Sequence, residues 1–260
     1  MPIQRVVSKW AKTSVLMADP RLRQYVPVTQ PFNQATLEDM LDRYGMVYVK
    51  PVKGTFGKGV IRVEKRPGKR SPYGFQSGVH KYRCSSFEEL FQTLSRVKKR
   101  KNYLVQQGIE LLKYDRRRFD VRIMVQLSPE SEWETTGLIG RLAHPRKIVT
   151  NYHSGGTLMP VEKLLGVHLD GRKLNDCLTR LKDLGTSVAE ALHAQYPGLK
   201  EIGIDVAVDD RFVPWILEVN TKPDPYIFRK LPDKSVFRKV YRYAALYGRF
   251  RKRKSRIRTA

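Results

Sequence analysis

Two carboxylates thirteen residues apart constrain this chain more than any other feature. Near its end it reads EIGIDVAVDDRFVPWILEVNTKPD, where residues 202–208 and 212–220 each have the apolar, β-branched character of a strand. A hairpin with its turn centred between Arg211 and Phe212 sets Asp205 directly across from Glu218. Facing Cβ atoms on paired strands are roughly 4.5–5.5 Å apart, and like charges there destabilise a sheet unless something lies between them. A divalent cation meets that need, since magnesium takes one or two carboxylates and completes its shell with phosphate oxygens. Asn220 points to the same face as Glu218 and adds a neutral oxygen. A solvated hairpin with an acid on each strand fits the same letters.

The 260 residues give room for one large domain or two intimate lobes, and 41% hydrophobic content fits a folded, soluble chain. Fifty Lys and Arg against 25 Asp and Glu leave a net charge of +25, which calls for a polyanionic partner: nucleic acid, an anionic surface or an acidic substrate. Cys84 and Cys177 match no metal-ligand spacing and read as reduced core thiols. No run reaches the ~18 apolar residues of a membrane helix. The opening MPIQRVVSKWAK has no apolar signal core, so the expected compartment is cytoplasmic.

Along the chain, residues 1–35 read as a leader: a helix over 9–17, then extended YVPVTQPF. Thr36 and Asp39 suggest the start of a short helix that Gly45 ends. Strands are expected at 46–51 and 59–65, a Gly/Pro-rich loop at 66–78, a strand over 79–83, and a helix capped by Ser86. FDVRIMVQL and EWETTGLIGRL suggest an antiparallel pair, and Leu174, Leu181, Val188 and Leu192 mark an amphipathic helix before the acidic hairpin. RFRKRKSRIRTA is a nearly pure basic tail, expected to fray from Arg249 onward.

Several segments suit phosphate. KPVKGTFGKGV carries Gly54, Gly57 and Gly59, which let backbone N–H groups approach an anion, with Lys50, Lys53 and Lys58 as countercharge. It lacks the GxxxxGK[ST] spacing of a P-loop, and a plain hairpin is the alternative. Arg122 and Arg141 lie on predicted strands, where a buried Arg needs a carboxylate or phosphate; an Asp120–Arg122 surface pair is the competing reading. TNYHSGGT offers Asn151 as a second amide, while His153 reads as a packing or surface residue.

The order of these pieces, from the lysine strand through the glycine flap and arginines to Asp, Glu and Asn, resembles the ATP-grasp superfamily between about Lys9 and Pro225. VYVKPVKGTFGKGVIRVE and TNYHSGG look most like YheC/YheD-type, endospore-coat-associated ATP-grasp proteins. The chain is also similar to ribosomal-protein glutamate ligases and, at the last hairpin, to D-alanine–D-alanine ligases. The resemblance implies an α+β fold of two lobes whose antiparallel sheets clamp a nucleotide. It divides the chain into a leader (1–35), a small lobe with the flap (36–105), a large lobe with the metal site (106–248) and the basic tail (249–260). It assigns Lys9 and Lys50 to the phosphates, Gly54, Thr55, Gly57 and Gly59 to the flap, and Gln106, Gln107 and Ile109 to an adenine hinge. Asn151 joins the nucleotide site, Arg122 and Arg141 take catalytic roles, and Asp205, Glu218 and Asn220 hold Mg2+. Position 107 is Gln where many relatives have Glu. Gly203 stands where D-alanine ligases have Arg, with Arg141 the expected substitute. The separate N-terminal domain that helps many such ligases hold substrate is also absent from this sequence.

The activity implied is ATP-dependent ligation of a carboxylate, taken as an acyl phosphate, to an amine. The expected partner is an acidic peptide or another polyanionic coat or wall component. Two other functions stay open at this point: a catalytically degenerate, nucleotide-binding scaffold on a spore coat, and nucleic-acid binding through the tail. No membrane partner is expected, and the sequence does not fix the oligomeric state.

Overall fold

Alternating side chains build the first lobe. A computed structural model describes residues 3–54 and 57–250, so Thr55 and residues 251–260 of the basic tail lie outside it. Helix α1 (Lys9–Ala18) is capped by Ser8 and precedes strand β1 (Thr29–Pro31), helix α2 (Gln34–Tyr44) and strands β2 (Met46–Pro51), β3 (Ile61–Lys65), β4 (Tyr73–Ser77) and β5 (His80–Cys84). Helix α3 (Phe87–Val97) and strand β6 (Tyr103–Gln107) follow. The sheet runs β1-β6-β2-β3-β4-β5, all antiparallel. In β2, Val47 and Val49 turn to a core shared with Leu37 and Leu41 of α2 and Leu90 and Leu94 of α3. Tyr48 and Lys50 therefore take the opposite face, which is left for the cleft.

The second lobe comprises β7 (Lys113–Tyr114), β8 (Arg117–Leu127), β9 (Trp133–Leu142), β10 (Thr157–Met159), α4 (Val161–Leu165), α5 (Gly171–Gln195), β11 (Glu201–Val208), β12 (Pro214–Asn220) and α6 (Lys234–Leu246). Its order is β10-β9-β8-β11-β12, with β7 on β8. Leu181, Leu184, Val188 and Leu192 of α5 pack on Val121, Ile123, Ile202 and Ile204, and Leu16 of α1 joins them. Each such side chain contributes about 1.5–3 kcal/mol by leaving water. On the opposite face, Met124 and Ile139 lie under Phe228 and Val240 of the C-terminal segment. The rest of that face carries the charged residues described below.

The two antiparallel sheets with flanking helices make the expected α+β class. The N-terminal residues are shared between the lobes: α1 packs on α5 and β12, whereas β1 extends the small sheet beside β6. Three local expectations are corrected. Asn33 caps α2, its side chain accepting from the Thr36 N–H at 2.8 Å, so the helix starts earlier than Thr36 suggests. The 66–78 segment is no continuous loop, because β4 runs through it with Phe75 buried against Tyr82. Arg249 does not fray: with Arg5 (2.8 Å) and the Tyr247 hydroxyl (2.7 Å) it satisfies the fully buried Glu201. Both cysteines are buried and unpaired, and among the described residues no helix is long and apolar enough to cross a membrane.

Candidate functional site

The last hairpin pairs Asp205 with Glu218 and Gly203 with Asn220. Beyond Asp205 the register shifts, so that Val206 faces Ile216 and Leu217 is an extra residue in β12. Such a bulge re-aims the side chains beside it. Leu217 and Glu218, adjacent in sequence, both line the cleft between the lobes. Asn220 sits farther along β12, half-buried and outside the cleft lining.

Across β9, β8 and β11 the ladder sets Arg141 against Asp120 and Arg122 against Asp205. Arg141 forms a fork on Asp120 (2.8 and 2.6 Å) and also reaches Asp205 Oδ2 at 2.9 Å. Arg122 Nε donates to Asp205 Oδ1 at 2.5 Å. The partner of Arg122 is thus Asp205, not the same-strand Asp120, and all four groups are buried. Burial alone would raise the Asp205 carboxyl, but Arg122 and Arg141 outweigh it and hold the group down at about 2. The same carboxylates outweigh desolvation at Arg141 and raise its pKa. The space over Gly203 is filled first by Pro223, whose Cβ lies 2.7 Å from where a Cβ would stand, and then by Arg122 Cδ and Nη1 at 3.3 Å; Arg141 is not among the nearest atoms.

The small lobe faces this array with Lys50, which bonds Gln106 Oε1. Burial draws the Lys50 ammonium down to about 8, against the pull of Glu218, Asp205 and Asp120. Gly57 of the flap adopts φ +68°, and a Cβ there would come within 2.7 Å of Asn151 Oδ1. A glycine is what lets flap and Asn151 loop approach so closely. Gly54 and Gly59 lie on either side, with the Gly54 carbonyl 3.4 Å from Lys9 Nζ. Lys9 also pairs with Glu218, so the start of α1 touches both lobes. In the hinge, Gln106 turns its side chain to Lys50 and Thr29, while Gln107 and Ile109 line the cleft. The N–H groups of Gln107 and Gly108 are already bonded to the Val28 and Met46 carbonyls.

The cleft is partly open to solvent and is lined by residues of both lobes. Sequence reasoning missed Tyr48, Leu217 and Thr150, which also line it. Thr150 is buried and donates to Asp120 at 2.6 Å; its place beside Asn151 was the available signal. Lys12 was missed too. It is buried one turn beyond Lys9, donates to the Val6 carbonyl at 2.9 Å, and burial lowers its pKa to about 8. His153 lies 3.5 Å from Asp224, away from the Asp205 cluster. Among the described residues no three His, Cys, Asp or Glu side chains group as a metal site. Asp205 and Glu218 alone are too few for magnesium, whose shell they would complete only with further oxygens such as those of a phosphate.

Similarity to known proteins agrees with this geometry. Over residues 3–250 the chain matches a family model described as YheC/D like ATP-grasp. It is 24% identical over 226 residues to the endospore coat-associated protein YheD of Bacillus subtilis (strain 168), covering 85% of this chain and 49% of that protein. Endospore coat-associated protein YheC of the same organism is 23% identical over 219 residues, covering 83% and 59%. The chain thus spans about half the length of the curated relatives it matches. With the family match running from end to end of the two lobes, the chain belongs to the YheC/D-like ATP-grasp family.

Proposed function

We propose that this chain binds ATP with Mg2+ in the cleft and activates a substrate carboxylate for attack by an amine. The observation that carries the reading is the meeting of Lys50 and Gly57 from one lobe with Arg141, Asp205 and Glu218 from the other in a single cavity. Magnesium, when bound, neutralises charge on phosphate oxygens; Asp205 and Glu218 would hold it, with Asn220 nearby on β12. Lys9 and Lys50 bind phosphate, the flap excludes water, and Leu217, Gln107 and Ile109 bound the base. Arg122 and Arg141, fixed by their own carboxylates, hold positive charge beside the transferred phosphoryl group. Positioning and charge neutralisation are most of what phosphoryl transfer asks of a protein. The γ-phosphoryl group passes to the carboxylate oxygen as ADP leaves, and the amine then displaces phosphate from the acyl carbon.

The net charge of +25 favours an acidic substrate, and the coat association in the relatives' names fits an acidic coat or wall component. The test is ADP release that depends on a supplied carboxylate, screened over acidic peptides and amino acids with Mg2+ present. Glu218→Gln should abolish it while leaving the fold intact; release that ignores the carboxylate, or survives this substitution, sinks the reading. A second reading, a coat-docked scaffold that binds nucleotide without turnover, is favoured by one observation. Both Asp205 oxygens and one Glu218 oxygen already have cationic side-chain partners that compete with a metal. ATP binding with no turnover on any carboxylate would select it.

A further inference from the structure

Beyond Asn220 the chain leaves the cleft and enters a surface built of rings and cations. Asp224 accepts from the Tyr226 N–H at 2.9 Å and lies 3.5 Å from His153 of the Asn151 loop, so this surface begins at the cleft rim. Tyr226 is 46% exposed and sits 6.2 Å from Phe237 and 6.1 Å from Phe250. Tyr241, 40% exposed, stacks on Phe250 at 4.7 Å. Arg229 lies over the Phe237 ring at 5.7 Å. Arg238 and Arg242, one turn apart and both exposed, line a shallow groove along α6 with Phe237, Tyr241 and Leu246.

The charge here is one-sided. Residues 222–250 hold eight Lys and Arg against two Asp. Lys239 and Arg249 are engaged by Glu134 and Glu201. Both Asp are engaged as well, Asp224 as described and Asp233 as the cap of α6, while Arg238 and Arg242 remain exposed. Exposed Tyr and Phe interleaved with Arg is the composition of protein–protein hot spots, and the excess of cations selects an acidic partner. The ring geometry argues against nucleic acid. Tyr241 and Phe250 lie face to face at 17°, each covering a ring face on which a base would otherwise stack.

We propose that the Tyr226–Tyr241–Arg238–Arg242 surface docks an acidic polypeptide and delivers it to the cleft. The delivery rests on the ligase reading above; the docking does not. Arg238 and Arg242 pair with acidic side chains, while Tyr226 and Tyr241 cover the apolar parts of the partner. Because the surface joins the cleft through residues 221–226, a bound chain can present a terminal or side-chain carboxylate to the cavity.

The experiment titrates the full chain with fluorescein-labelled poly-L-glutamate and reads anisotropy. Arg238→Glu/Arg242→Glu should weaken binding by about tenfold or more, since two attractions become repulsions. The milder Arg238→Gln/Arg242→Gln should give a smaller loss at an unchanged melting temperature. A Glu/Tyr copolymer should bind more tightly than poly-L-glutamate, and Tyr226→Ala/Tyr241→Ala should remove that advantage. Equal binding of poly-L-glutamate by wild type and both Arg variants overturns the proposal. So does tighter binding of a sulfated glycan or a single-stranded oligonucleotide through these same residues. ADP release over the same screen of acidic peptides and amino acids, followed in parallel, separates the two readings: its absence throughout with docking intact removes the ligase and leaves the surface.

Discussion

Asp205→Asn is the substitution that separates the charge network from the metal site. In the wild type Arg122 and Arg141 hold the Asp205 carboxyl at about 2, against an ordinary 3.8. That gap corresponds to about 2 kcal/mol in favour of the charged form. Removing one partner of a buried ion pair costs more, about 3–5 kcal/mol, because the surviving charge stays buried. Arg141 keeps its fork on Asp120 after the substitution, whereas Arg122 loses the carboxylate it contacts. The expected loss is therefore about 3 kcal/mol, or about 6–12 °C in Tm for a chain of this size. Glu218→Gln should cost only about 0–1 kcal/mol, since its pair with Lys9 is partly exposed. The pH dependence follows from the depressed pKa. The Asp205 contribution is complete above the ordinary carboxylate range and is lost as pH falls toward 2, so the two proteins should converge in acid. Urea denaturation followed by circular dichroism at pH 7 and pH 3 reads both effects. Equal midpoints for Asp205→Asn and Glu218→Gln at pH 7 would refute the network, and with it the use of Arg122 and Arg141 as fixed charges.

Lys50 should set the upper pH limit of nucleotide affinity. Phosphate beside it favours the protonated form, so binding holds below about 8 and weakens by up to about tenfold per pH unit above it. Lys12, lowered to a similar value, would steepen the fall. Calorimetric titration at pH 7 and pH 9 measures this, and a flat profile removes Lys50 from the phosphate. Gly57→Ala combines a left-handed backbone, about 1–2 kcal/mol against any side chain, with a 2.7 Å clash on Asn151. It should weaken ATP binding and also lower the Tm of the free protein by a few degrees, at about 2–4 °C per kcal/mol. A normal nucleotide affinity in this variant would show that the flap does not close on the Asn151 loop.

The Asp205–Glu218 pairing was legible because strand periodicity is local: two alternating runs and one turn fix which residues face each other. The bulge at Leu217 was not, since an inserted residue leaves no mark on composition. A trace of it exists nonetheless. Ile216 and Val219 are both in the core although three apart, a spacing that a regular strand cannot place on one face. The arginines show a different limit. Asp120 and Arg122 do share a face, but partners were decided by the neighbouring strands, which brought Arg141 to Asp120 and Asp205 to Arg122. Helix α6 was hidden by its Lys and Arg, although Val236, Val240, Tyr243 and Ala244 form a helical stripe. Glu201 marks the point where local reading fails altogether. Four residues before Asp205 on the same strand, it shares that face and looks equally fit for a metal or a phosphate cleft. Arg5 and Arg249, from opposite ends of the described chain, converge on it and bury it completely. The same two arginines bond the Thr221 and Pro223 carbonyls, fixing the path of the chain directly after Asn220. Identical chemistry on one strand thus serves the cleft at Asp205 and anchors the cleft rim at Glu201. The difference lies in which distant segments fold over each carboxylate, and no spacing within the strand encodes that.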